Sequence, residues 1–194
     1  FNYKSDLKLF AFLLPMEYVF EDFILGFIDK EIEGVNPKGQ AKGTYLDEAK
    51  YFGLKPDLIL DLGFKKIIAD TKYKLVYSDD TDPKKGISQS DLYQMLAYAV
   101  RFGIQEIKLF YPNSIATELQ PEVATIQIKD ALADEKQINI TAHQLPIIDK
   151  SITVAILKKH NKLLDCFEGL REELKRRFKE IFELEKDKRK KDSY

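Results

Sequence analysis

Between positions 14 and 28 the apolar residues fall at Met16, Val19, Phe20, Phe23, Ile24, Phe27 and Ile28. Steps of three and four predict an amphipathic helix, with Pro15 near its start, where a missing N–H is harmless. Gly34, Pro37, Gly39 and Gly43 then predict a loop. Residues 56–61 and 66–73 read as two short, largely apolar strands joined by a turn at Leu62-Gly63-Phe64. A polar loop follows over 79–86. A second helix is expected from Ser88, with Asp91 three residues on as a capping-box partner. Its apolar stripe is Leu92, Met95, Leu96, Ala99 and Val100, and Gly103 ends it. Residues 107–111 predict a third strand stopped by Pro112, and 123–128 and 137–141 predict later ones. From about 152 to 191 a single long helix is expected, with Leu163, Phe167, Leu170, Leu174, Phe178 and Ile181 on one face. This order predicts an α/β fold, a mixed central sheet flanked by helices. Residues 1–150 are expected to form the core, and 151–194 a C-terminal helical extension packing on it.

A chain of 194 residues is one large domain, or one domain with an appendage, and can bury a core without disulfides. Its formal net charge of -1 gives no sign of a nucleic-acid partner, so a basic face would need local segregation. Cys166 stands alone, which excludes an intramolecular disulfide and a cysteine-based zinc site. His143 and His160 are isolated and read as surface or loop histidines. A metal here would therefore be held by oxygen, as Mg²⁺, Mn²⁺ or Ca²⁺ are. No apolar run is long enough to span a bilayer, and no membrane contact is expected. The opening Phe1-Asn2-Tyr3-Lys4 is not a signal peptide and has no initiator Met, so a fragment is expected, in a reducing cytoplasmic setting.

The chemistry concentrates in the predicted hairpin. A turn centred between Gly63 and Phe64 sets Asp57 opposite Asp70 on one face, and Lys72 shares that face two residues on. Leu58, Leu60, Ile67 and Ala69 point the other way, while Ile59 and Ile68 flank the carboxylates. Two like charges ~4–5 Å apart at an effective dielectric near 20 repel by roughly 3–4 kcal/mol. One carboxylate must take up a proton, or a divalent cation must bind between them. A hard cation so held polarises a phosphodiester oxygen and acidifies a bound water. Lys72 would orient or deprotonate that water, or steady the developing negative charge, and the Thr71 carbonyl offers a further ligand. A structural Asp–Lys pair at a polar sheet end is the plainer alternative.

Pro56-Asp57 followed by Asp70-Thr71-Lys72 resembles the PD-(D/E)xK nuclease motif in its DxK form, and Gln94 with Tyr98 resembles the QxxxY element of its RecB-like branch. Phe20-Glu21-Asp22-Phe23, residues 68–74 and residues 90–99 are similar to the nuclease domain of the McrC family, as is Leu109-Phe110-Tyr111-Pro112. The resemblance implies a restriction-endonuclease-like core with a long C-terminal helix. It implies Mg²⁺, for which Mn²⁺ may substitute, held by Asp57, Asp70, Glu21 and Thr71, with Lys72 as the catalytic lysine. Gln94 would bond a metal water or the scissile phosphate, and Tyr98 and Lys74 would touch the DNA backbone. Glu17, one turn before Glu21, competes for the first-helix position. The resemblance further implies a DNA endonuclease subunit of a modification-dependent restriction system. Its partners would be an McrB-like AAA+ GTPase ring and a duplex containing modified cytosine, recognised mainly by that ring. A RecB-like repair nuclease and a non-catalytic nuclease-fold scaffold are the rival readings. Cys166 is expected to be a packing residue, and the basic tail 186–191 a frayed helix end or a nonspecific phosphate contact.

Overall fold

The hairpin forms with the expected register. In a computed structural model that describes residues 14–39, 43–74, 82–115, 119, 122–131, 136–157 and 163–184, strand β4 (Leu58–Asp61) pairs antiparallel with β5 (Lys66–Thr71). Leu58 faces Ala69, and Ile59 faces Ile68. The turn closes through Leu62 N–H to the Lys65 carbonyl (2.9 Å) and Gly63 N–H to Asp61 Oδ1 (2.9 Å). Gly63 sits at φ +82°, a left-handed conformation that glycine adopts without a Cβ clash.

The remaining elements build outward from this hairpin. They are α1 (Met16–Glu31), β1 (Asn36–Gly39), the short pair β2 (Thr44–Tyr45) and β3 (Gly53–Leu54), α2 (Gln89–Phe102), β6 (Glu106–Pro112), β7 (Glu122–Asp130), β8 (Lys136–Leu145), α3 (Lys150–Leu157) and α4 (Leu163–Ile181). The main sheet runs β1-β4-β5-β6-β8-β7. β5, β6 and β8 are parallel, and the other neighbours are antiparallel, so the sheet is mixed as expected.

Alternation along the central strands divides the core into two layers. Leu58, Leu60, Ile67, Ala69 and Phe110 face α1 and α4, where Phe20, Ile24, Ile28, Leu174, Phe178 and Phe182 are buried. Ile68, Ile107, Leu109, Tyr111 and Ile140 face the other way, against Met95, Tyr98 and Ala99 of α2. Helix α2 starts and stops where its signals lie: the Asp91 N–H donates to Ser88 Oγ (3.1 Å), and Gly103 closes it at φ +65°.

Four expectations are corrected. The glycine- and proline-marked stretch after α1 contains β1, an edge strand paired with β4, and an edge is where a sheet tolerates a proline such as Pro37. A Cβ on Gly39 would sit 3.0 Å from Leu25 Cδ2 and push that side chain aside. The C-terminal region is two helices among the described residues, not one. On α2, Val100 is exposed and Tyr98 takes an inward position in its place. His143 is no surface histidine: it lies in β8 and is only 4% exposed. Arg177 Nη2 donates to its Nδ1 (3.1 Å), which leaves Nε2–H to donate to Thr141 Oγ1 (2.9 Å), so both ring nitrogens are satisfied inside. His160, the 79–81 part of the polar loop and the 186–191 tail lie outside the described residues.

Candidate metal centre

Asp57 ends the chain's approach to β4, and Asp70 lies near the end of β5. Extending the observed pairing by one step sets them opposite each other, on the face turned toward α2. Asp57 Oδ2 accepts from both Thr71 N–H (2.7 Å) and Thr71 Oγ1 (2.8 Å), which ties the two strand ends together. The backbone after β5 is pinned by Lys72 N–H donating to the Phe110 carbonyl (2.8 Å). Lys72 is thereby held at the strand's end, and its ammonium lies 2.5 Å from Asp70 Oδ2.

A chain of polar contacts connects this lysine to α2. Lys72 Nζ donates to Gln94 Oε1 (3.2 Å), Gln94 Nε2 to the Tyr98 hydroxyl (2.8 Å), and that hydroxyl to the Lys55 carbonyl (3.0 Å). Gln94 and Tyr98 are one turn apart on the helix, so the pair is local geometry put to use. Tyr98 is only 2% exposed with its hydroxyl spent inward. It therefore buttresses Gln94, and is not placed to meet a DNA backbone. Lys74 doubles back through a tight turn, its N–H donating to the Lys72 carbonyl (2.8 Å), and its ammonium pairs with Asp91 Oδ2 at 2.5 Å.

The electrostatics follow from burial. Asp70 is 1% exposed, and its carboxyl is pushed up to about 7, first by burial and then by the Asp57 charge, with Lys72 opposing both. Burial works against the Lys72 ammonium, yet Asp70, Asp91 and Asp57 outweigh it and hold its pKa above the ordinary lysine value. Burial also raises Asp91, but hydrogen bonds from Lys74 and the Ser88 cap bring its carboxyl below the usual range. Asp70 Oδ2 is buried against the Lys72 ammonium, its ion-pair partner.

Asp57, Asp70, Thr71, Lys72, Lys74, Gln94, Glu17 and Glu21 line one cleft of about 320 Å³. Among the described residues no three His, Cys, Asp or Glu side chains gather closely enough to hold a metal ion. Glu21 therefore reaches the wall without joining the Asp57–Asp70 pair. Its helix packs on the sheet face opposite the Asp70 side chain, and Glu17, Tyr18 and Glu21 line the cleft from that helix. Two carboxylates, a backbone carbonyl and room for water nonetheless fit Mg²⁺. That ion keeps several waters and commonly takes only one or two protein carboxylates. Asp57 and Asp70 face each other with one ammonium against them, and that pair of carboxyls marks where the demand for a further cation lies.

Sequence reasoning missed two members of this neighbourhood. The sequence places Asp91 at the helix cap and on one polar strip with Gln94 and Tyr98, and only the fold brings it to Lys74. Tyr111 was read as a strand residue, yet its hydroxyl is fully buried with no hydrogen-bond partner. Burial, Asp91 and Asp70 all raise its pKa above the ordinary tyrosine value. Strand parity was the available signal, since Tyr111 stands one step beyond the Thr71–Phe110 pair, beside Lys72.

A family model described as McrBC 5-methylcytosine restriction system component matches residues 1–112. The chain belongs to that family. The match contains every residue of the cleft named above, and it is the family that the motif resemblance pointed to. Among solved structures, a similar chain occurs in the half-complex from a tetradecameric assembly of Thermococcus gammatolerans McrB AAA+ hexamers with bound McrC. The likeness has a TM-score of 0.57 at 16% identity, over 88% of this chain and 34% of the other. At that identity it speaks for the fold, and this chain spans about a third of the other's length. No curated protein matches the chain.

Proposed function

We propose that this McrBC-family chain carries the nuclease centre of a modification-dependent restriction system, a Mg²⁺-dependent DNA endonuclease of PD-(D/E)xK type. The observation that carries the reading is Asp70: a carboxyl buried opposite a second carboxyl, with a single lysine held against it. Such a site is unfavourable as a purely structural feature and well suited to a dication. Asp57 and Asp70 would hold the metal with the Thr71 carbonyl. When bound, Mg²⁺ supplies charge neutralisation at the scissile phosphate and acidifies water.

The chain's own groups do the rest. Lys72, held against Asp70 at the strand's end, is placed to steady negative charge on the phosphate or to orient and deprotonate the attacking water. Gln94, fixed from behind by Tyr98, orients the Lys72 ammonium. The partner is an McrB-like AAA+ GTPase ring that selects DNA containing modified cytosine. The formal net charge of -1 fits that division of labour, because a nuclease delivered by a motor needs little electrostatic affinity of its own.

The test is plasmid cleavage with Mg²⁺ in the presence of the cognate GTPase. Cleavage is expected for the unaltered chain and lost in Asp70→Ala and in Lys72→Ala. Undiminished cleavage by Asp70→Ala would remove the proposed centre.

A further inference from the structure

Two tyrosines on the walls of the cleft remain widely exposed: Tyr18 of α1, at 61%, and Tyr73 just beyond β5, at 45%. A scattered exposed aromatic needs no explanation. These two come from different elements and line the same small cleft as Asp57 and Asp70. Tyr73 is braced by Phe20, with ring centroids 5.8 Å apart and planes inclined at 56°, so its position is set while much of its surface stays open.

The charges of the cleft sharpen the point. Glu17, Glu21, Asp57 and Asp70 supply carboxyls, and the ammoniums of Lys72 and Lys74 are committed to Asp70 and Asp91. The protein lining thus has no surplus of positive charge with which to draw in a phosphate backbone. What it does present is ring surface. Aromatic side chains hold nucleic acid by stacking on bases, and a base can stack on protein only after leaving its own duplex. A continuous duplex keeps those faces inside.

We infer that the cleft takes DNA as a locally unpaired strand, with nucleotides beside the scissile phosphate stacked on both Tyr18 and Tyr73. The inference rests on the nuclease reading and specifies the form of its substrate. Affinity for the strand then comes mainly from ring contact and has a shallow salt dependence, in contrast to the steep dependence of backbone binding.

The experiment is fluorescence anisotropy on the full chain with Ca²⁺ present, using a labelled single strand of about twelve nucleotides and the matching duplex. The single strand is expected to bind at least about tenfold more tightly. Tyr18→Ala is expected to weaken single-strand binding by about 5- to 150-fold, the range for loss of one base–aromatic stack, with duplex binding unchanged. Tyr73→Phe keeps the ring against Phe20 and should retain binding, whereas Tyr73→Ala should lose it. Equal affinity for the two DNA forms, or a Tyr18→Ala and Tyr73→Ala pair that binds single strand normally, overturns the inference. Calorimetric titration with Mg²⁺ alone, run in parallel, separates the two levels. Metal binding without strand preference refutes only this inference, and no metal binding refutes the nuclease reading beneath it.

Discussion

Replacing Asp70 with asparagine should stabilise the metal-free protein at high pH and leave it unchanged at low pH. The side chains are nearly isosteric, so the change removes a charge and little else. In the folded protein the Asp70 carboxyl titrates at about 7, against 3.8 for an ordinary aspartate. Below pH 4 both folded and unfolded chains carry the proton, and no penalty exists. Between pH 4 and 7 the folded chain keeps a proton that the unfolded chain releases, so stability falls as pH rises. Above pH 7 the penalty is complete, about 4 kcal/mol at 1.36 kcal/mol per unit. Asparagine escapes it, and because the Lys72 attraction is already contained in that value of about 7, the gain should approach the same size. For a chain of this size that is roughly 8–16 °C in Tm. Thermal melts in EDTA at pH 8 and pH 3.5 read it out. The Asp70→Asn chain should melt higher at pH 8 and within about 2 °C of the unaltered chain at pH 3.5, below the ordinary aspartate value. Added Mg²⁺ at pH 8 should raise the melting point of the unaltered chain alone. A variant less stable at pH 8 would show that the carboxylate's bond to Lys72 outweighs its desolvation, and that Asp70 is a structural anchor.

Two further predictions concern the supports of the site and the core. Tyr98→Phe removes a buried hydroxyl that links Gln94 to the Lys55 carbonyl, and should cost about 1–2 kcal/mol in urea denaturation; an unchanged midpoint would contradict the buttress role. Arg177→Met withdraws the donor from the buried His143 Nδ1 and should cost about 1–3 kcal/mol by the same measurement, with no effect on Mg²⁺ binding.

How far the fold could be read from the residues depended on whether the signal was local. The Asp57–Asp70 juxtaposition needed only a turn at Gly63 and the two-residue period of strands, and the observed pairing has that register. The limits of α2 were equally local, in Ser88 and Gly103. Strand β1 was hidden because an edge strand tolerates the Pro37 and Gly39 that also mark loops. Tyr98 and His143 were misplaced for a shared reason. Polar side chains read as surface residues unless their partners are known, and those partners, the Lys55 carbonyl and Arg177, lie 43 and 34 residues away. The place of Glu21 likewise depends on where α1 crosses the strand ends, which no spacing rule fixes.

Direct titration of the full chain with Mg²⁺ by isothermal calorimetry at pH 8 puts the central claim to its plainest test. The account predicts saturable binding that persists in Lys72→Ala and disappears in Asp70→Ala. Absence of saturable heat from the unaltered chain, or equal binding by Asp70→Ala, would contradict it.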